Sequence, residues 1–321
     1  MKRIIAFALC LIIMLVLYSI ASADYIPTSP VYMVVGFEAD SSTDKASRLL
    51  ADYAEKYIDQ IVVVENITGK SGGNGWTHLA KADTDGLTIG VLNLPVFNMS
   101  IVNKMGAYKT RSFAPICNYI TDTAVVIVRT DDDRFPDLTA LVEYGIANQN
   151  DEKILRAATN GPYATNHIWT QAFANSACFF YNAVPQMGTK EELQSLQNKK
   201  ADFCIVKISD IIGQEDHYRI LGIFAENRLS KLPEVPTLKE LGYFDKWMGS
   251  AYCIVAPVGV DDDVIKLYEA TFRSTMEDPD FLEIAEQDGL AVDFKNASET
   301  AALIAKQQEF IESLEDDFWY E

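Results

Sequence analysis

VYMVVGFEADSSTD, residues 31–44, decides the fold class. Its first seven residues form a short apolar run rich in β-branched side chains, the mark of a buried strand. A polar loop, GFEADSSTD, follows, and beyond it Ala46, Leu49, Leu50, Tyr53, Ala54 and Tyr57 recur at helical spacing. A strand therefore feeds a helix through a polar loop. Ser41, Ser42 and Thr43 offer hydroxyls where the helix presents the positive end of its dipole, a combination that holds a carboxylate without an arginine. The same residues also fit a simple helix N-cap.

Working outward, the pattern repeats. Residues 61–64 (IVVV) and 87–92 (LTIGVL) read as strands, with a helix over about 74–82 between them. A second series has strands at 124–130, 154–158, 178–183 and 202–206 and helices near 137–148 and 165–174. Repeated βα units predict an α/β fold of mainly parallel sheets flanked by helices. Thr237 and Glu240 have capping-box spacing and predict a short helix after Pro236. A strand at 251–256 comes next, and after it only helices are expected. Asp261, Asp262 and Asp263 favour a helix N-terminus, and Leu303, Ile304, Gln307, Phe310, Ile311 and Leu314 mark the face of the last helix. No low-complexity linker separates the two series. Two lobes joined by crossing strands account for this: residues 24–124 with 252–321 form one, residues 125–251 the other, and the crossings lie near 125–129 and 252–255.

The N-terminus has Lys2 and Arg3, an apolar run over 4–17, and Ala21-Ser22-Ala23 before Asp24. This is the pattern of a secretory leader cleaved after Ala23, although the apolar run also approaches the length of a membrane anchor. Leu9 before Cys10 does not suit a lipid-acceptor cysteine. Cleavage removes two of the 27 basic side chains and none of the 46 acidic ones, leaving a net charge of about −21. Such a chain repels nucleic acid and anionic lipid. Roughly 300 mature residues exceed what one small core usually fills, which supports two lobes. Cys117, Cys178, Cys204 and Cys253 lie in apolar strand-like runs and fit small buried residues as well as bridged ones; in an oxidising compartment up to two disulfides are permitted, and if one forms Cys117 with Cys253 is the favoured pair because both adjoin the crossings.

Two further loops lie at strand ends. ITGKSGGNGW (67–76) is a glycine-rich turn before a helix, without the Lys-Ser/Thr ending of a nucleotide P-loop or the spacing of a dinucleotide fingerprint, so no cofactor is expected. TNGPYATNH (159–167) again runs strand to loop to helix, with Asn160, Thr165 and Asn166 as polar groups. His78, His167 and His217 have no metal-ligand spacing, and no G-x-S-x-G elbow is present. His167 is the one histidine in a loop of this kind, and a lone histidine at a helix start is more often a hydrogen-bonding or core residue than a general base. Binding is thus favoured over hydrolysis.

Taken in order, VVGFEADSSTD, VVVENITGKSGGNGW, ADTDGLTIGVLN, RSFAPICNYI, TNGPYATNH, KLPEVPTLKELGY and IVAPVGV resemble the successive signatures of the substrate-binding receptors of tripartite tricarboxylate transporters, periplasmic proteins of the Bug type. The resemblance implies a two-lobed, type II-like periplasmic-binding-protein fold that closes on a small carboxylate or amino acid as a monomer. It also implies delivery to a permease of one large and one small membrane subunit; signalling to a membrane sensor kinase is the alternative output. It places ligand contacts at Phe37, Ser41, Ser42, Thr43 and Asp44, at Gly72, Gly73 and Asn74, and at Asn160, Gly161, Thr165 and His167; Asn93 is a further candidate contact. The family's first loop usually carries prolines and a glycine pair, whereas here Glu38, Ala39, Asp40 and Ser41 take those places. Gln186 replaces a tyrosine after Val184-Pro185, and Lys207 replaces an acid. Glu38, Gln186 and Lys207 are therefore further candidates for contact, and a mono- or dicarboxylate or an amino acid is expected in preference to citrate.

Overall fold

The computed structural model of the protein describes residues 27–161, 164–214 and 216–314. The leader expected over residues 1–23, with Cys10 inside it, lies outside the described residues.

The opening stretch folds as its pattern dictates. β1 (Val31–Val35) buries Val31, Met33 and Val35 and leads into α1 (Ser42–Ile58). β2 (Val62–Asn66), α2 (Gly73–Leu79), β3 (Thr88–Leu94) and α3 (Val96–Val102) follow. The long β4 (Phe113–Arg129) opens a second series: α4 (Leu138–Asn148), β5 (Leu155–Thr159), α5 (Thr165–Ser176), β6 (Tyr181–Pro185), α6 (Thr189–Gln197), β7 (Phe203–Lys207) and β8 (Tyr218–Ile223). β9 (Gly249–Pro257) then runs back, and α7 (Asp262–Glu277), α8 (Pro279–Gln287), β10 (Val292–Lys295) and α9 (Ala297–Glu312) complete the order.

The strand order is β2-β1-β3-β9-β4-β7-β5-β6, with β8 and β10 also paired to β4. β1 pairs in parallel with β2 and β3, and β5 with β6 and β7, as βα units require. The strands between these groups are antiparallel, so the sheet is mixed: β9 pairs with β3 and β4, and β4 with β7 and β8. Up to Thr123 β4 pairs with β9, and from Ala124 it pairs with β7 and β8. One strand thus serves both groups of strands.

Alternation along the strands fills a layer on each face. In the first group, Val31, Met33 and Val35 pack with Leu50, Tyr268 and Phe272 on one face; Leu92, Leu94 and Val255 pack with Trp76, Phe97 and Ile304 on the other. In the second, Val126 and Val128 join Trp169 and Phe173 on one face, while Val125 and Ile127 join Leu193 and Leu196 on the other.

Several expectations change. β4 starts eleven residues before the predicted strand. Cys178 is not in β6 but in a turn at φ 59°. Thr237 and Glu240 make both capping-box hydrogen bonds, at 3.0 and 3.1 Å, yet close only a turn, because Gly242 at φ 76° reverses the chain. A strand, β10, follows β9 and pairs with β4. All four described cysteines are free. Cys117 and Cys253 are neighbours across β4 and β9, but Cys117 packs on the Val31 face and Cys253 on the Trp76 face. Side chains on opposite faces of a sheet cannot bridge. Finally, α9 does not return to the first group alone: Ile304 packs beside Trp76, and Phe310 and Ile311 pack in the second group's core.

Candidate functional site

The first loop is held from behind. Ser41 is spent as the N-cap of α1, its hydroxyl accepting the Asp44 N–H at 3.3 Å. Asp44 is buried and also serves the framework. Its carboxylate accepts from the Asp40 N–H at 2.9 Å, Arg48 Nε at 3.0 Å and Asn66 Nδ2 at 2.7 Å. Burial pushes its pKa up, but these donors outweigh it and hold the carboxyl below the usual carboxylate range. Asn66 Nδ2 also donates to the Phe37 carbonyl. Phe37 lays its ring edge-on to Trp76 at 6.1 Å. Glu38 and Asp40 are exposed.

Ser42 is exposed and shares a 3.3 Å hydrogen bond with the Tyr252 hydroxyl from β9. Thr43 is buried, and its hydroxyl accepts from Asn93 Nδ2 at 2.9 Å. Asn93 lies opposite Tyr252 in the β3–β9 register, so β1's loop, β3 and β9 converge here.

The glycine turn packs backbone to backbone against the same loop. A Cβ at Gly36 would stand 2.8 Å from Gly72 Cα, and one at Gly75 would stand 2.9 Å from Gly36 Cα. Gly72 adopts φ 95°, and Gly73 approaches the Met105 carbonyl. Asn74 folds its amide back onto the Thr68 carbonyl at 2.9 Å, so it closes the turn.

The second-series loop makes its own cluster. Asn160 Oδ1 accepts the Asn166 N–H at 3.1 Å, Gly161 at φ 121° lies against the Gln186 carbonyl, and the Gln186 N–H donates to the Thr159 carbonyl. Gln186 also turns its side-chain amide to the Val184 carbonyl. Thr165 starts α5, whose N-cap position is held by Ala164. Burial pushes the His167 imidazole below its usual pKa, toward the neutral form at pH 7.

Lys207, at the end of β7, pairs with Asp210 at 3.6 Å and leaves Glu38 and Asp40 unpaired with it. Burial opposes its charge, but Asp210, Tyr252 and Asp122 surround it and hold its pKa above the ordinary lysine value. Asp122, on β4, is buried and accepts from the Ser209 N–H and, in a very short contact, the Ser209 hydroxyl. Burial raises the Asp122 pKa more than Lys207 and Ser209 lower it. Tyr252 is thus the link: it touches Ser42 on one side and lies within the electrostatic reach of Lys207 on the other. Sequence reading missed Tyr252, Asn66 and Asp122. Tyr252 and Asp122 stand in strand segments that read as core or were not read as strand, whereas Asn66 had one usable signal, a polar residue at a strand's carboxyl end.

A family model described as "Tripartite tricarboxylate transporter family receptor" matches residues 46–314. The chain belongs to this receptor family. The match begins just past Asp44, so the acidic first loop lies immediately before it. Protein BugT of Bordetella pertussis is 24% identical over 291 residues, covering 89% of this chain and 88% of BugT. Among solved structures, a ligand-free TctC solute-binding protein from Polaromonas superposes with a TM-score of 0.82 at 19% identity, covering 90% of this chain and 100% of that one. MatC from Rhodopseudomonas palustris, with bound malate, superposes with a TM-score of 0.70 at 22% identity, covering 89% and 99%. The receptor family consists of periplasmic solute-binding proteins, and no helix among the described residues is long and apolar enough to cross a membrane.

Proposed function

We propose that this receptor, exported and freed of residues 1–23, captures a small carboxylate-bearing metabolite and delivers it to a permease of one large and one small membrane subunit. Residues 24–124 with 252–321 form one lobe and residues 125–251 the other, and the ligand lies between them. The observation that supports this reading is a convergence at β4 and β9: Ser42 of the hydroxyl-rich loop shares a hydrogen bond with Tyr252 of β9, and Lys207 at the end of β7 pairs with Ala124 of β4, just past the last β4–β9 pairing. Ser42, the N-terminal turn of α1 and the N–H groups around Gly73 and Gly161 supply donors for one carboxylate. Lys207 is the one lysine or arginine among the candidate residues, and it already answers to Asp210 and Asp122. A trianion would face Glu38 and Asp40 with little to offset it, at a cost on the order of 1 kcal/mol per close pair of like charges. The ligand is therefore a mono- or dicarboxylate or an amino acid, in preference to citrate.

Calorimetry and thermal shift on ligand-stripped protein test this, with malate, succinate, aspartate, glutamate and citrate as probes. A bound acid at one hundred times its Kd stabilises by about 2.7 kcal/mol and raises the Tm. Tight binding of citrate with no response to any simpler acid or amino acid would overturn the ligand assignment.

A further inference from the structure

Behind the second-series loop lies a carboxyl group that ligand capture as described does not use. Glu192, on α6, is 0% exposed. One of its oxygens, Oε2, accepts from Asn166 Nδ2 at 2.6 Å. The other, Oε1, is buried and has no hydrogen-bond partner among the described residues. Asn166 is itself 1% exposed, and its backbone N–H donates to Asn160 Oδ1 at 3.1 Å. Glu192, Asn166 and Asn160 thus form one line from the back of α6 to the loop that follows β5.

The surroundings favour the neutral acid. Burial raises the Glu192 pKa well above the usual value, the Asn166 amide opposes that shift, and Asp210 adds to it. Charged or titratable groups on the strands packed against α6 are committed elsewhere or uncharged, and the Tyr218 hydroxyl of β8 donates to the Leu193 carbonyl. Cys204 of β7 is a buried thiol whose pKa burial raises, Lys207 pairs with Asp210, Arg156 of β5 pairs with Asp202, and Arg129 of β4 donates to the Leu196 carbonyl at the far end of α6. None of these contacts supplies a cation to Glu192. A buried polar atom left without a partner is destabilising, so its retention beside a loop needs a reason.

We propose that Glu192 is a positioning residue for ligand capture: through Asn166 it fixes the Asn160 side chain, and so holds Asn160 and Gly161 against the start of α5 in a binding-ready form. The assignment rests on the reading of that loop as part of the carboxylate site. It has a consequence in pH. Ionised Glu192 would place a buried negative charge near Asp210 with one oxygen unpartnered, so loop order and affinity fall as the pH rises through its titration. Glu192→Gln keeps an oxygen for Asn166 and removes the charge; Glu192→Leu keeps approximate volume and removes the acceptor.

Hydrogen exchange of residues 160–168 and calorimetric binding of malate and succinate, measured from pH 6 to pH 9 on the mature full-length protein, test the inference. Glu192→Leu is expected to speed exchange in that loop and weaken binding about tenfold. Glu192→Gln is expected to bind within about twofold of wild type and to lose the alkaline fall in affinity. Unchanged exchange in Glu192→Leu, or faster exchange spread evenly over the whole second core, would overturn it. Local loosening in a protein whose wild type binds none of the probes would instead reject the carboxylate reading, and with it any role in capture, while leaving the brace itself as a fact.

Discussion

Asp44 and Asn66 illustrate how a residue that resembles a ligand contact becomes part of its frame. The sequence offers Asp44 as one more polar group in a strand-end loop. In the fold its oxygens are taken up by Arg48, Asn66 and the Asp40 N–H, so what it contributes is the shape of the loop that exposes Ser42. Burial raises its pKa, but the three partners prevail and hold it below the usual carboxylate range. A carboxyl depressed in the folded state stabilises above its unfolded pKa, and that contribution disappears as the pH falls through the folded value. Asp44→Asn is therefore expected to destabilise by about 1–3 kcal/mol at pH 7, with the difference from wild type shrinking below about pH 4. Urea unfolding at pH 7 and pH 3.5 measures both; an equal deficit at the two values would show that geometry alone is responsible. Tyr252→Phe probes the exposed side of the same loop. It removes one hydroxyl from the junction with Ser42 and Lys207, and should weaken binding of whichever acid calorimetry identifies by about tenfold while changing stability by less than about 1 kcal/mol.

At the scale of elements, the readable parts were those whose local chemistry decides them. β1 and α1 follow from apolar run, N-cap and helical spacing, and Asp261 caps α7 where the acidic triplet stands. The unreadable parts depend on distant partners. The first half of β4 is interrupted by Asn118 and Asp122, which look like loop residues. Asn118 is satisfied by Thr121 Oγ1 and the Asp293 carbonyl of β10, and Asp122 by Ser209, and the β10 and Ser209 partners come from far along the chain. β10 is four residues long and becomes a strand only by pairing with β4. The candidate loops were located by their position at strand ends, but which of their side chains face a ligand depended on tertiary hydrogen bonds such as that from Asn74 to Thr68. The glycine turn allows a direct test of this packing. Gly75 lies in α2 with ordinary helical backbone, so Gly75→Ala gains helix propensity. Its Cβ, however, would stand 2.9 Å from both Gly36 Cα and the Ile67 carbonyl. Overpacking of this kind costs about 1–3 kcal/mol, more than the roughly 1 kcal/mol that alanine gains over glycine in a helix. A lower Tm is expected, and a variant at least as stable as wild type would show that the loop and turn are not pressed together.

For the whole molecule, the question is what makes two groups of strands behave as one body while allowing the proposed lobes to close. Three elements are shared. β4 passes from one group to the other, β9 runs beside it, and Gly249 allows their closest approach: a Cβ there would meet the Asp122 carbonyl at 2.4 Å and the Trp247 ring at 2.6 Å. The third is α9, whose Ile304 packs beside Trp76 while Phe310 meets Phe244 edge-on at 6.0 Å. Asn98 Nδ2 ties α9 to α3 through the Ile304 carbonyl and Gln308, and Gln307 reaches the Trp247 carbonyl at the crossing. A helix whose middle packs in one core and whose carboxyl end packs in another couples their unfolding, because neither core can open without exposing part of the same helix. Phe310→Ala weakens the anchor in the second core alone, leaving Ile311 in place. Deleting a buried aromatic ring typically costs about 3–5 kcal/mol, enough to separate two melting events that are otherwise merged in domains of this size. Scanning calorimetry of wild type is expected to give one transition, and of Phe310→Ala an earlier transition from the second core followed by one near the original temperature. Were α9 only a covering helix of the first group, the variant would melt in a single transition displaced as a whole; that outcome would remove α9 from the coupling and leave β4 and β9 to carry it.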